Sequence, residues 1–329
     1  MRQAFRFAQA ALAAAVIAGG AAAAQAADKP ANYPMRPISL VVVYPAGGGM
    51  DVTARTLASV AEKDLGHEFR VENRTGGGGV VGHTYLAKEA RPDGYTIGVV
   101  GNPFLFSDFL AKGGQFDQSD FKPIAGINFD PVVWVVRADS PLGKMSFQEI
   151  IEKAKSDKLR VGVMPNNVFE FVTEIVERDT GVDFETVPFQ GGQPGVTALL
   201  RGDIDITNGF YAEVEQYIKS GDLKAVAVSD TKRLPFLPDT PAMSEVGVDI
   251  PGSTWGAFRL ITVPPATPDD VTAYLADSFY EVLTSDDAEE AFKKVGMTLS
   301  PTDMEATRKI YQESYDALSS FLKESGRIK

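Results

Sequence analysis

The sequence predicts an α/β protein of two lobes, each a mostly parallel sheet flanked by helices, with a ligand cleft between them. Three observations predict it. Short β-branched apolar runs alternate with helical stripes from residue 38 to residue 229. Glycine-rich segments stand between strand and helix, where the chain must turn tightly at a sheet edge. A strand-like run and three helical stretches follow a turn-rich interval, so the first lobe is built from both ends of the chain. Repeated strand–helix–strand order implies parallel pairing with right-handed crossovers.

The run 38–43 lies between Pro37 and Pro45-Ala46-Gly47-Gly48-Gly49 and reads as a buried parallel strand. Residues 51–65 carry Val52, Leu57, Val60 and Leu65, a helical stripe ended by Gly66. A second strand is predicted over 68–72. The glycine cluster 76–79 leads into a helix over 80–90, which stops before Pro92-Asp93-Gly94, and residues 95–100 form a third strand. Further on, strands are predicted over 132–136, 159–163, 185–187, 204–207 and 223–229, and helices over 146–156, 167–178, 194–202 and 213–220. Turn formers fill 234–252, residues 255–263 are strand-like, and Pro264-Pro265-Ala266-Thr267-Pro268 introduces the C-terminal helices. The lobes are expected to divide as 27–130 plus 252–329 and 131–251.

The N-terminus has the form of a secretory leader. Arg2 and Arg6 supply a positive start, and residues 10–18 form an apolar run too short for a bilayer core of about 30 Å. Ala24-Gln25-Ala26 fits the small-residue cleavage pattern, so residues 1–26 are expected to be a cleaved signal peptide. An uncleaved anchor is the alternative. The net charge of −12 becomes two charges more negative without Arg2 and Arg6. That balance opposes nucleic acid and anionic lipid as partners, but a small anion can still bind a locally positive site. With no cysteine there is no disulfide framework, no thiol nucleophile and no thiolate metal site. His67 and His83 stand in no zinc-binding spacing and are expected at the surface or in satisfied packing.

Two segments carry chemistry: Pro45-Ala46-Gly47-Gly48-Gly49-Met50-Asp51 and Asn73-Arg74-Thr75-Gly76-Gly77-Gly78-Gly79. Each joins a strand to a helix. Glycines there allow positive φ and close approach of a ligand to the main chain. The following helix offers unpaired amides and the positive end of its dipole. Two such turns in consecutive units converge at the carboxyl edge of the strands, which suits an anion. Gly77, Gly79 and Gly82 also satisfy a dinucleotide fingerprint. The next strand, however, ends Val99-Val100-Gly101 without the ribose-binding acid, and export removes the nicotinamide pool. There is no nucleophile elbow and no P-loop, and no carboxylate pair is singled out by spacing.

At these residues the chain resembles a known family. Tyr33-Pro34-x-Arg36-Pro37-Ile38, the first glycine turn with Ala54-Arg55, Val71-Glu72-Asn73-Arg74 and Pro92-Asp93-Gly94-Tyr95-Thr96 are similar to the Bug/TctC family. So are Val187-Pro188-Phe189-x-Gly191, Leu200-x-Gly202-x-Ile204-Asp205 and Trp255-Gly256 through Thr267-Pro268. These are the extracytoplasmic solute receptors of tripartite tricarboxylate transporters. The resemblance implies a type II-like periplasmic-binding-protein fold whose lobes close on the ligand. It implies no catalytic residue, no cofactor and no metal. The ligand would be a carboxylate-containing solute, and the partners of a monomeric periplasmic receptor would be the large and small membrane subunits. Family members commonly hold a carboxylate on backbone amides of the first two glycine turns. By that resemblance Ala46, Gly47, Gly48, Gly49, Met50 and Asp51, with Thr75, Gly76, Gly77, Gly78 and Gly79, form the first-lobe side. The second-lobe side would come from Asn166, Asn167 and Phe169, from Gln190 and Gln193, and from Asn208 and Phe210.

The chain departs from the family pattern at Met50, at the loop 164–170, at Gln193 and at Gly209. These changes leave the backbone donors intact and alter the side chains, which puts citrate in doubt. Glu170 and Glu213 would accept an amine or hydroxyl if they faced the cleft, but a solvated helix face is expected for each. Phe169, Phe210, Tyr211 and Trp255 could stack on a flat ligand. The rival readings are a sensor subunit that shows its closed form to a membrane-bound kinase, and an exported hydrolase of the carboxylate type.

Overall fold

The computed structural model describes residues 27–189, 191–250 and 254–329. The expected leader, Gln190 and the start of the second lobe boundary, residues 251–253, lie outside the described residues. Strand β1 (Ile38–Val42), almost wholly buried, pairs in parallel with β2 (Phe69–Asn73) and β3 (Thr96–Asn102). Helix α1 (Gly49–Leu65) follows β1 and ends where Gly66, at φ 66°, donates its amide to the Glu62 carbonyl. Helices α2 (Val80–Lys88) and α3 (Phe104–Leu110) follow β2 and β3. Helix α3 is absent from the sequence prediction, because Phe-Leu-Phe-Ser-Asp-Phe-Leu is apolar on nearly every side and shows no stripe.

The largest departure from the predicted elements is β4 (Lys122–Arg137), expected only over 132–136. Pro123, Asp130 and Pro131 interrupt its apolar pattern and, locally, argue against a strand. The strand nevertheless runs through. Its first part pairs antiparallel with β9 (Gly256–Val263), up to Pro131 opposite Gly256. From Val132 it pairs with β7 (Ile206–Phe210) and β8 (Leu223–Val228). Pro131, with no amide to give, sits where the strand changes partners. Gly256 is required opposite, since a Cβ there would lie 2.6 Å from the Asp130 carbonyl.

The second lobe adds α4 (Phe147–Ala154), β5 (Arg160–Val163), α5 (Val168–Thr180), β6 (Glu185–Pro188), α6 (Gly192–Arg201) and α7 (Tyr211–Ser220). Helix α4 starts on a capping box in which Ser146 and Glu149 each accept the other's amide. The described strands form the order β2-β1-β3-β9-β4-β7-β5-β6, with β8 on β4. The outer strands pair in parallel and the crossing strands antiparallel. Ser229 ties the two passages between lobes: its hydroxyl accepts from Val132 N (2.8 Å) and donates to the Trp255 carbonyl (2.5 Å).

The chain returns to the first lobe through α8 (Asp269–Leu283), α9 (Asp286–Lys294) and α10 (Met304–Glu324). Leu275, Phe279 and Val282 of α8 pack with Leu57 and Val60 of α1 under the first sheet. Phe321 of α10 reaches the other lobe, with its ring 5.2 Å from Trp255 and 5.5 Å from Phe171. Each such buried side chain contributes about 1.5–3 kcal/mol, so α10 fastens both lobes to the crossing strands. No helix among the described residues is long and apolar enough to cross a membrane.

Candidate functional site

The carboxyl ends of strands from both lobes meet at a cavity of about 330 Å³. Gly48, Gly49, Met50 and Gly78 line it from the first lobe, together with Tyr44, Phe104 and Lys112. Met164, Asn167, Phe169, Gly191, Gly192, Phe210 and Glu213 line it from the second. Asp130, Ala257 and Arg259, on the crossing strands, are shared between them.

The first glycine turn is closed by Gly48 N donating to the Pro45 carbonyl (3.3 Å), with Gly47 at φ 81°. The amides of Gly49 and Met50 are first-turn donors of α1, for which a helix has no internal acceptor. Asp51 lies behind this wall. It is 2% exposed and accepts from Gly47 N (2.8 Å), Arg55 Nε (2.9 Å) and Asn73 Nδ2 (2.9 Å). Burial works against its charge, but Arg55, Gly47 and Asn73 outweigh it and hold the carboxyl below the usual range. Asp51 therefore braces the turn against the end of β2. Ala46 and Gly47 are exposed outside the cavity.

In the second turn Gly76, Gly77, Gly78 and Gly79 all have positive φ, which only glycine adopts without strain four times in a row. Gly79 N and Val81 N both donate to the Gly76 carbonyl, and Gly78 faces the cavity. Gly79 allows the chain to pass over Asp108, whose Oδ2 would stand 2.5 Å from a Cβ there. Asp108 is fully buried and joins His83 Nδ1 (2.7 Å) to Lys112 Nζ (2.8 Å). The ammonium so held lines the cavity beside Gly78. Thr75, Gly76 and Gly77 do not line it.

Several second-lobe residues act as braces. Asn166, at φ 51°, donates its amide to Glu170 Oε2 (2.8 Å), and its carbonyl accepts from Ser107 Oγ of the first lobe (2.8 Å). Asn167 caps α5 through Phe169 N (3.3 Å). Asn208 is buried and donates to the Phe169 carbonyl (2.9 Å) and Thr173 Oγ1 (3.1 Å), so it joins β7 to α5. Gln193 Nε2 donates to the Glu213 carbonyl (3.0 Å). Gln190 lies outside the described residues. Phe210 lines the cavity with its ring 5.0 Å from Phe169 and 6.3 Å from Phe104. Tyr211 and Trp255 do not: Tyr211 stacks on Phe236 (4.0 Å), and Trp255 is core.

Glu213 corrects the expectation of a solvated helix face, since it lines the cavity. Its Oε2 accepts from Phe210 N (2.9 Å), and its carboxylate lies on Gly192, where a Cβ would collide with it. Burial holds it above the usual carboxylate range, with Asp130 adding to the rise, against the hydrogen bond from the Phe210 amide and the pull of Arg259. Glu170 instead meets Asn166 and Arg327 away from the cavity. Sequence reasoning also missed Lys112, Asp130 and Arg259. Arg259 Nη2 pairs with Asp130 (3.1 Å) and stands 3.5 Å from where a Gly49 Cβ would be. A lone arginine inside the apolar strand Gly256–Val263 was the available signal. No group of acids and histidines among the described residues could hold a metal ion.

Residues 53–326 match the family TctC, described as tripartite tricarboxylate transporter family receptor. The chain belongs to this family. Its relative BugT of Bordetella pertussis is 30% identical over 94% of this chain and 95% of that protein. A TctC solute-binding protein from Polaromonas, solved without ligand, is 29% identical with a TM-score of 0.76, over 89% of this chain and 99% of that one. MatC from Rhodopseudomonas palustris, solved with bound malate, shares the fold at 24% identity and a TM-score of 0.70, over 88% of this chain and 100% of that one. TctC receptors are two-lobe solute-binding proteins, and the cavity here lies between two such lobes.

Proposed function

We propose that this chain is exported by its leader and captures a small carboxylate-containing solute by lobe closure in the periplasm. It then delivers the solute to the large and small membrane subunits of a tripartite tricarboxylate transporter. The lobes are 27–130 plus 252–329 and 131–251. One observation carries the reading: first-turn amides of α1, Gly78 and the Lys112 ammonium line one wall of a cavity whose other wall belongs to the second lobe. Donors so placed stabilise an anion without any reorganisation of the main chain. The family's transporter role and the malate held by MatC support a carboxylate as that anion. A solute touching both lobes favours the closed form by its extra affinity for it. Two charge-assisted bonds of about 1.5–3 kcal/mol each, with modest apolar burial, give roughly micromolar binding.

Calorimetry with a panel of mono- and dicarboxylates tests this. Gly48→Val and Gly78→Val are expected to abolish binding while circular dichroism shows the fold retained. A folded variant that still binds its carboxylate as the parent does would remove the anion from these turns.

A further inference from the structure

The charges that line the cavity do not cancel. Lys112 is matched by Asp108 and Arg259 by Asp130, at 2.8 and 3.1 Å. Glu213 is left over. Among the described residues no basic group stands within 4.0 Å of its carboxylate, which accepts one hydrogen bond, from the Phe210 amide. Gly192 makes room for that carboxylate, and at Gly209 a Cβ would stand 3.5 Å from its Oε2. In the second lobe Glu170 and Glu213 sit in the first turns of α5 and α7, and at the start of α6, which has no acid of its own, the Glu213 carboxylate lies against Gly192. The first turn of α1 also carries an acid, but Asp51 is engaged by Gly47, Arg55 and Asn73 behind the wall and leaves the Gly49 and Met50 amides without a side-chain acceptor. The cavity is thus polarised, with donors on the first-lobe wall and an unmatched acceptor on the second. Phe210 stands by both ends: its amide is on Glu213 and its ring centre lies 5.9 Å from the Arg259 guanidinium. With Phe104 and Phe169 it makes the middle apolar.

We propose that the solute is a monocarboxylate bearing a cationic nitrogen across an apolar body, and that Glu213 reads the nitrogen. A dicarboxylate of the same length would bring its second anion against Glu213 and Asp130, with both nearby cations already matched. An ammonium there supplies the missing partner of a carboxylate that folding has taken out of water. This inference rests on the proposed capture of a carboxylate by the first lobe.

Isosteric pairs test it on the whole mature protein: 6-aminohexanoate against adipate, and 4-(aminomethyl)benzoate against terephthalate, with hexanoate as the plain anion. The amine of each pair is expected to bind at least about tenfold tighter than its dicarboxylate, as one charge-assisted bond provides. Glu213→Gln is expected to bring the members of each pair within about threefold of each other, by weakening the amines and relieving the dicarboxylates of the Glu213 charge. The comparison within the unmodified protein stands whether or not that variant folds. If hexanoate binds but the amine adds nothing, or adipate binds as tightly as 6-aminohexanoate, the assignment of Glu213 is overturned and carboxylate capture survives. If no compound with a carboxylate binds, both readings fall.

Discussion

The two walls of the cleft are built by different means. The first-lobe wall is largely main chain: Gly48, Gly49 and Gly78 bring backbone to the cavity surface, while behind them Asp51 holds the first turn through Gly47 and Asp108 holds Lys112 beside the second. The second-lobe wall, apart from Gly191 and Gly192, is side chain: Phe169, Phe210 and Glu213 face the cavity, and Asn208 and Gln193 hold their elements from behind. Amides present the same donor whatever the residue, so the first wall suits what all of its ligands share. Side chains differ from one sequence to the next, so the second wall suits what distinguishes one ligand from another.

The largest break in this contrast is expected from Asp108→Ala. It leaves His83 buried without its partner and frees Lys112 under the second glycine turn. Urea unfolding should show a loss of about 3 kcal/mol, as for removal of one partner of a buried pair. Undiminished stability would mean that the first wall needs no buried support. Phe210→Ala acts on the other wall alone. Truncating a ring that meets Phe104 and Phe169 should weaken solute binding by about tenfold while unfolding changes little, because the ring is only part-buried. An effect confined to stability would make Phe210 a packing residue.

The smallest effect sharpens the comparison through pH. Burial, with Asp130 beside it and the Phe210 amide and Arg259 opposing, raises the carboxyl of Glu213, so the folded chain binds that proton more tightly than the unfolded chain does. Its contribution to stability is therefore complete below the ordinary carboxylate range and declines as pH rises through the raised value. Glu213→Gln cannot lose a proton. In the absence of solute it should match the parent at low pH and exceed it at neutral pH. Asp130 and Glu174, also raised mainly by burial, lend the parent the same trend. A variant less stable than the parent at neutral pH would show that Glu213 is already matched before any solute arrives.

Much of this architecture was legible along the chain because its causes are local. Strand Ile38–Val42 and helix Gly49–Leu65 follow from apolar spacing, and the glycines at 76–79 announce a backbone that only they adopt readily. Even the motifs that place the chain in its family are short runs. What escaped was of another kind. Strand β4 is continuous through Asp130-Pro131 because two different sets of partners meet there, and the local sequence names neither. Arg259 finds Asn128 and Asp130 across about 130 residues, and the local i,i+4 pair of Asp108 and Lys112 comes to lie under the second turn because Gly79 lets the chain pass over Asp108. Glu213 has the spacing of an ordinary first-turn acid, and it faces the cavity because Gly192, on a different helix, leaves the space.

Local order and the glycine donors of the first wall therefore come from the sequence alone, since backbone conformation depends on near neighbours. That Arg259 is matched by Asp130, and that Glu213 is left facing the cavity, was decided only when distant strands and helices closed around it. Pairing depends on distances of a few ångströms that chain spacing does not encode.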